Sequence, residues 1–256
     1  FYVLPEDASV EDMMMPLEGS VAAIISEGGA AQHLDGWGWV GSLTHFELHA
    51  GYWLIMNSES LLHLESCDEP TASAVYNLDA GPNLISYPVP GETELSYAIP
   101  DDVEDMFSAV IYQGSASMNI DGVGWAGSVN KFEAGKGYWV VVDEDLSFSY
   151  NIDEDGLARY ISESDVKESL PEGSLYDVRP SREQAFYFVE NVQLQNGSVE
   201  IGDWILSYKG NVLTGIREWN GSIIDVPAMG YDAYDLNTSD YFISGDVPRF
   251  KLLQNR

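Results

Sequence analysis

Trp39-Val40-Gly41-Ser42-Leu43 and Trp125-Ala126-Gly127-Ser128-Val129 share the pattern Trp-x-Gly-Ser and lie 86 positions apart in the chain. The same offset, without a gap, places Gly51-Tyr52-Trp53 over Gly137-Tyr138-Trp139. Agreement at Trp, Gly and Tyr positions over one constant offset indicates an internal duplication. The sequence therefore predicts two tandem copies of one structural unit.

Each copy has the pattern of a small β-rich unit with a short helix. Tyr138-Trp139-Val140-Val141-Val142 is aromatic and β-branched, a composition that favours a strand. Pro100-Asp101-Asp102 places proline and acids where helices begin, and the stretch from Ser9 to Met15 is the helical candidate in copy one. Gly36 and Gly122, at matching positions, predict turns.

The offset also places Phe1-Tyr2-Val3 over Tyr87-Pro88-Val89. Copy two is preceded by Ala80 to Ser86, which reads as a turn and the opening of a strand, and copy one has no counterpart in the sequence. We therefore expect a truncated first strand in copy one and a missing upstream piece. An open strand edge near Phe1 is expected to pair with another chain or with an upstream strand.

The C-terminal region has the pattern of short strands separated by turns. Asn196-Gly197 predicts a hairpin between residues 192–194 and 199–201. Lys209-Gly210-Asn211 predicts a second hairpin, between residues 203–208 and 212–217. Further strands are expected at residues 185–189, 222–227 and 245–253. Close spacing of short strands is typical of a β-sandwich or barrel.

The predicted fold class is mainly β, with two copies of a small β-rich unit and a distinct β-sandwich or barrel domain. The predicted boundaries are residues 1–66 for copy one, 67–80 for a linker, 81–150 for copy two, 151–180 for an acidic connection and 181–256 for the C-terminal β domain. A short helix is expected within the connection, near Ser162 to Ser169.

Two motifs carry a resemblance to known modules. Gly81 to Ser86, with the later Gly-Tyr-Trp strand, resembles a β-rich module of secreted and cell-surface bacterial proteins. Gly202-Asp203-Trp204-Ile205 to Gly210, followed by Val212 and Gly215, is similar to a G-D-x-I…V-x-G module that accompanies it. Such modules occur in large proteins of marine bacteria and their phages. The resemblance implies a fold and carries no catalytic residue.

The charge is strongly negative and unevenly distributed. The 256 residues include 42 acids and 11 Lys and Arg, for a net charge of −31, and residues 1–130 hold no Lys or Arg at all. Repulsion within such a surface is relieved by salt, so the composition favours a salty extracellular medium such as seawater; the alternative is an acidic surface that provides solubility. Nucleic acids are excluded as partners, and an anionic membrane surface is disfavoured for the same reason. Membrane insertion is not expected, because no apolar run reaches about 18 residues.

Aromatic residues without a counterpart in the other copy are the candidates for ligand contact. Repeated positions are expected to serve the core first, namely Trp39, Trp53, Trp125 and Trp139. The ligand-contact candidates are Trp37, Trp219, Tyr231 and Tyr234.

Oxygen ligands at alternate positions make Asn151, Asp153 and Asp155 a candidate Ca²⁺ site, and a solvated acidic loop is the alternative. No cofactor is predicted apart from this candidate structural Ca²⁺. The histidines are not expected to bind a metal, because residues of other types stand at their counterparts in copy two. These histidines are His33, His45, His49 and His63.

The sequence contains no catalytic motif of the common hydrolases, nucleotide-binding enzymes or metalloproteases. It therefore predicts a non-enzymatic structural or adhesive module of a secreted, cell-surface or virion-surface assembly, with other proteins as its partners. One alternative is a glycan-binding module attached to a polysaccharide-active enzyme. Another is an acidic hydrolase, which would need a pocket that holds two close carboxylates.

Overall fold

The computed structural model of the chain describes residues 4, 8–62, 74–89, 91–152, 178–194 and 197–254. It confirms the mainly β class, with 45% strand and 9% helix, and the described strands form antiparallel sheets without a closed barrel. The chain divides into two units: unit 1 contains residues 1–110 and 130–160, and unit 2 contains residues 111–129 and 161–256.

Copy one begins with a short helix whose first turn is capped. The Ser9 hydroxyl accepts a hydrogen bond from the Asp12 amide at 3.2 Å, which satisfies one of the free N–H groups of a helix start. Val10, Met13 and Met14 of this helix are buried, so its apolar side contributes to the core. The elements of copy one are α1 (Val10–Met14), β1 (Val21–Ile25), β2 (Ala30–Leu34), β3 (Gly38–Gly41) and β4 (Trp53–Met56). The strands form one sheet in the order β3-β2-β1-β4.

Copy two repeats this arrangement and adds strands to it. Its elements, with the strand that precedes it, are β5 (Tyr76–Leu78), β6 (Gly81–Ser86), β7 (Glu92–Glu94), α2 (Leu95–Ala98), α3 (Asp101–Glu104), β8 (Phe107–Tyr112), β9 (Ser115–Ile120), β10 (Gly124–Gly127), β11 (Lys131–Glu133), β12 (Gly137–Val142) and β13 (Leu146–Phe148). The main sheet has the order β10-β9-β8-β12-β6, and β5 pairs with β13. The stretch predicted as a linker, residues 67–80, therefore contains a strand.

The two copies agree in strand register as well as in strand order. In the hairpin of copy one, Ala31 lies opposite Gly41 and His33 opposite Trp39. In copy two, Ser117 lies opposite Gly127 and Asn119 opposite Trp125. Each pair follows from the other by the offset of 86 positions, so the structure repeats the pattern that the sequence predicts.

Glycine in the Trp-x-Gly-Ser motif is required by a close approach of two strands. A Cβ atom at Gly41 would lie 2.0 Å from the Ala30 carbonyl oxygen, and one at Gly127 would lie 2.1 Å from the Ala116 carbonyl oxygen. No side chain fits in that space. The repeated glycine therefore sets the distance between the two strands of each hairpin.

The cores of the two copies are built around the same aromatic pair. Phe46 and Tyr52 meet edge to face at 4.8 Å in copy one, and Phe132 and Tyr138 do so at 4.8 Å in copy two. The tyrosine hydroxyl accepts a hydrogen bond from a backbone N–H in both, from Glu47 at 2.6 Å and from Glu133 at 2.9 Å. The repeated Phe-Glu and Gly-Tyr-Trp sequences therefore supply the ring pair and the hydrogen bond in both copies.

The repeated tryptophans are half-buried: Trp39 packs against the core of copy one, whereas the expectation of a core position is wrong for Trp139. Trp139 follows Tyr138 in β12, and successive side chains of a strand point to opposite faces. Tyr138 is therefore the residue that enters the core, at 1% exposure, and Trp139 lies on the outer face. The others with intermediate exposure are Trp39, Trp53 and Trp125.

The two copies meet at backbone positions within unit 1. The Gly51 amide donates to the Leu84 carbonyl at 2.9 Å, and the Ser86 amide donates to the His49 carbonyl at 3.1 Å. A Cβ atom at Gly137 would lie 3.2 Å from the Cα atom of Gly51, so the glycines of the two Gly-Tyr-Trp motifs are in contact. The outer edge of β6 is thereby covered by copy one.

In the C-terminal part of unit 2, the described residues 178–194 and 197–254 form five strands in two sheets. They are β14 (Gln184–Val189), β15 (Trp204–Lys209), β16 (Val212–Glu218), β17 (Ile224–Met229) and β18 (Arg249–Leu253). One sheet pairs β14 with β17, and the other has the order β16-β15-β18. The hairpin predicted around Lys209-Gly210-Asn211 is confirmed as β15 and β16.

The hairpin predicted around Asn196-Gly197 is wrong. Residues 192–194 and 199–201 form no strand, and Asn196 itself lies outside the described residues. The Glu200 amide donates to the Asp203 carboxylate at 3.0 Å, and the Asp203 amide donates to the Glu200 carbonyl at 3.0 Å. These bonds close a turn, so the Glu200 backbone is used within the turn instead of in a ladder.

The second module motif also has a structural explanation. A Cβ atom at Gly215 would lie 1.8 Å from the Pro227 carbonyl oxygen, and Ser207 donates to that oxygen at 2.6 Å. Gly215 thus permits β17 to approach β16, and the Asp203 turn begins β15. The motif residues define the packing of this sheet.

We predict that Gly41→Ala destabilises the protein much more than Gly36→Ala does. Gly36 lies in the same hairpin and serves as the control. Gly36 has a φ of +77° with no atom within 4 Å of its Cβ position, so alanine there costs only backbone strain, about 1 kcal/mol. At Gly41 the methyl group meets a carbonyl, and the cost is at least about 3 kcal/mol. Urea unfolding of both variants measures the difference, and equal losses would contradict the close-approach explanation.

Candidate functional site

Trp37 is the most exposed of the predicted ligand-contact residues. It lies in the turn between β2 and β3, where its amide donates to the Leu34 carbonyl at 2.9 Å. Its side chain is 83% exposed. The turn therefore presents an indole ring to solvent, which is the geometry needed for stacking against the apolar face of a ligand.

Trp219, by contrast, is a packing residue. It is 7% exposed and belongs to a hydrophobic cluster with Ile205, Ile224 and Val226. Its amide donates to the Asp203 carbonyl at 2.7 Å, which fixes the backbone beside the turn. A buried ring offers no face to a ligand, so Trp219 is removed from the set of contact candidates.

Tyr231 and Tyr234 lie on one segment of unit 2, residues 230–239, which we name the tyrosine loop. Tyr231 is 36% exposed and Tyr234 is 50% exposed. The Arg182 guanidinium lies 4.7 Å from the centre of the Tyr234 ring, in cation–π geometry. One face of Tyr234 is therefore already occupied by an arginine from the same unit.

A buried ion pair holds the tyrosine loop in place. Arg182 donates two hydrogen bonds to the Asp232 carboxylate, at 2.7 and 2.6 Å, and Asp232 also accepts from the Tyr234 amide at 2.9 Å. Burial raises the pKa of Asp232, but the bonds from Arg182 and Tyr234 outweigh burial and bring the pKa below its usual 3.8. Arg179 pairs with Asp235 further along the same loop. The loop thus displays two tyrosines on a rigid, internally neutralised base.

The calcium candidate is described at only one of its three residues. Asn151 is exposed, and its amide donates to the Ala98 carbonyl at 2.8 Å, whereas Asp153 and Asp155 lie outside the described residues. Within the described ranges, no group of three or more His, Cys, Asp or Glu side chains has a geometry that could hold a metal ion. The calcium site remains a prediction.

Three of the four histidines are described, and each has a different partner. His33 meets Trp39 edge to face at 5.4 Å, and His49 meets Tyr76 at 5.1 Å. His45 is within hydrogen-bond distance of the Thr44 hydroxyl, at 3.0 Å. His63 lies outside the described residues.

A pocket in copy one lies between α1 and the sheet. Its volume is about 70 Å³, and its lining includes Glu11, Glu18, His33 and Trp39. Pockets that enclose small organic ligands usually measure about 300–1,000 Å³. This pocket is far too small for such a ligand.

The strongest electrostatic feature of unit 2 is a buried aspartate that the sequence analysis did not single out. Asp225 is fully buried in β17, and one oxygen of its carboxylate, Oδ2, accepts three hydrogen bonds. The donors are the Ala116 amide at 2.9 Å, the Ser128 hydroxyl at 3.0 Å and Arg217 at 2.9 Å. Arg217 also donates to the Gly114 carbonyl and so joins the same hairpin.

This network uses the Trp-x-Gly-Ser motif of copy two. In copy one the Ala30 amide donates directly to the Ser42 hydroxyl at 3.3 Å. In copy two the corresponding groups, the Ala116 amide and the Ser128 hydroxyl, both bind the Asp225 carboxylate instead. The sequence signal was Ser128 itself, a repeated polar residue with no assigned role.

Burial raises the pKa of Asp225 above its usual 3.8, and the charge of Arg217 lowers it without cancelling the effect of burial. The folded protein therefore holds this proton more tightly than the unfolded chain does. It follows that the contribution of Asp225 to the free energy of unfolding decreases as the pH rises from 3.8 through the folded-state pKa.

The described part of the chain has no helix long and apolar enough to cross a membrane. Comparison with family models, with curated proteins and with solved structures gives no match. The residues and contacts described above therefore carry the functional interpretation.

We predict that Arg217→Met costs about 3 kcal/mol of unfolding free energy at pH 7, because it leaves the Asp225 carboxylate buried without its cation. The loss should be smaller at pH 4.5, where the variant can accommodate a protonated Asp225. Urea unfolding at both pH values measures it.

The control is Arg179→Met, which removes a cation whose side chain is 47% exposed and should cost no more than about 1 kcal/mol. An Arg217→Met loss as small as that of the control would contradict the proposed role of the Asp225 network.

Proposed function

We propose that the chain is a non-enzymatic structural or adhesive module of a secreted, cell-surface or virion-surface assembly in a salty extracellular medium. The observation that carries this proposal is that the repeated residues serve packing. Gly41 and Gly127 set strand distances, and the repeated Phe and Tyr form the two cores. A block that is repeated for its packing serves shape and surface presentation.

The buried charges support the same proposal. Asp225 and Asp232 are both held by arginines, and their hydrogen bonds tie segments of unit 2 together. Catalytic acids and bases usually stand in a cleft where they can reach a substrate. These two carboxylates are used to stabilise the fold.

The charge distribution supports the extracellular, salty environment. Residues 1–130 contain 20 acids without one Lys or Arg, so this part of the chain repels itself at low ionic strength. At the ionic strength of seawater the screening length is only about 4 Å, and the repulsion becomes short-ranged. High salt or divalent cations would therefore stabilise the folded protein.

The surface location can be tested by immunogold labelling of the intact cells or virions that produce the chain. Antibodies against the folded protein should label the outer surface without permeabilisation, at a density typical of a repeated structural component. A cytoplasmic protein of the same source, probed in parallel, controls for leakage. Label that appears only after lysis would overturn the proposal.

Glycan binding is the second candidate function, and the exposed aromatic rings favour it. Trp37 in unit 1 and Tyr234 in unit 2 each present a ring to solvent. No observation on the described residues favours the acidic hydrolase.

If the chain binds glycans, a glycan array probed in the presence of Ca²⁺ should give hits that weaken at least about tenfold with Trp37→Ala or Tyr234→Ala. Trp219→Phe, a change in the buried cluster, is the control that keeps the surface unchanged. An array without hits would remove this candidate.

A further inference from the structure

In the part of the chain that the structure describes, the sheet of copy one ends at β4, whereas the corresponding strand of copy two is paired on both sides. β12 lies between β8 and β6, and β6 pairs with it along six residues, from Gly81 opposite Val142 to Ser86 opposite Gly137. The order in copy one is β3-β2-β1-β4. Among the described strands, none occupies on β4 the place that β6 occupies on β12.

The burial of the two strands differs accordingly. Three core-facing side chains of β12 are at most 2% exposed: Tyr138, Val140 and Val142. Their counterparts in copy one are only half-buried, although they pack against the core of that copy: Tyr52, Leu54 and Met56. The same block therefore buries these positions completely only where a neighbouring strand covers them.

The hydrogen bonds around β6 show which of its backbone groups face β12, and therefore which groups of β12 face β6. The Tyr87 amide donates to the Lys136 carbonyl, and alternate residues of an antiparallel strand face the same partner, so Asn83 and Ile85 face β12. Leu84 faces the other way and accepts from Gly51. Val140, opposite Asn83, therefore directs its backbone groups towards β6.

Leu54 is the counterpart of Val140 in copy one. By the same alternation its N–H and C=O groups face the open edge of β4. This edge has the geometry that strand addition uses, since main-chain hydrogen bonds supply affinity and alternate side chains supply specificity.

We propose that the open edge of β4 binds an extended segment of another protein, antiparallel to β4, with the chemistry of β6. The segment carries a branched apolar residue opposite Tyr52, as Ile85 stands opposite Tyr138. Its flanks are neutral or basic, because the surrounding residues 1–130 contain 20 acids and no Lys or Arg.

Residues 1–256 of a second copy do not offer such a strand. The pattern Gly-x-Asn-Leu-Ile-Ser occurs once in the chain, at Gly81 to Ser86, and there it is already paired with β12. The existence of a natural partner rests on the proposed role as a module of an assembly. The geometry of the β4 edge does not depend on that role.

The probe is a capped synthetic peptide with the sequence of residues 80–89 followed by two lysines, titrated into the full chain by calorimetry. N-methylation at the position of Ile85 should weaken binding at least about tenfold, because that N–H faces β4. N-methylation at the position of Leu84 should change it less than about twofold, because that N–H faces away. This pair of peptides leaves the protein itself unaltered.

On the protein side, Leu54→Pro removes the outward N–H at an edge position, where proline is tolerated in strands. It should abolish peptide binding while the circular dichroism spectrum stays native. Leu61→Pro is the matched control, because Leu61 is 86% exposed and lies outside the strands. Binding by this control should match that of the unaltered chain.

Absence of binding, equal effects of the two N-methyl groups, or sedimentation of the chain as a dimer that the peptide does not dissociate would each overturn the proposal. The experiment uses isolated components. A negative result therefore leaves the surface location of the protein untouched, and an intracellular location would not affect the binding result.

Discussion

A backbone carbonyl that occupies the space of a missing Cβ atom is the constraint on which the architecture depends. It occurs at Gly41, at Gly127 and at Gly215, with Cβ positions only 1.8–2.1 Å from the facing oxygen. The first two bring together the strands of the repeated hairpin, and the third brings β17 onto β16. Because no other residue lacks a Cβ, these contacts link the sequence motifs directly to strand spacing. The aromatic cores then fill the space that this spacing defines.

Two of the few cations in the chain pair with buried carboxylates. Arg217 and Arg182 pair with Asp225 and Asp232, carboxylates that are at most 1% exposed. A buried charge is tolerated only with such a partner. Exposed pairs such as Lys131 with Glu92 contribute little to stability. With 42 acids and only 11 Lys and Arg, most of the acids have no cation to pair with, and the protein keeps a net charge of −31.

The repeat and the hairpin around Gly210 could be predicted from the sequence, because Trp, Gly and Tyr at one offset report on packing and Lys209-Gly210-Asn211 is a local turn signal. Assigning faces within a strand was harder: Tyr138 and Trp139 are adjacent, and only the fold shows which one enters the core. Asn196-Gly197 failed as a hairpin signal because a turn closed by Asp203 uses the Glu200 backbone. The Asp225 network joins residues about a hundred positions apart, and local patterns carry no record of such contacts. Of the ligand-contact residues, the exposure of Trp37 and the burial of Trp219 depend on tertiary packing in the same way.

The contact between Gly51 and Gly137 has a consequence for how such a chain grows. The two residues are one position of the repeat, and they touch each other where the copies meet. A contact between equivalent positions is isologous, since each copy offers the same patch and the pair closes on itself. Another round of gene duplication would therefore add a copy that finds this patch occupied and needs a different joint.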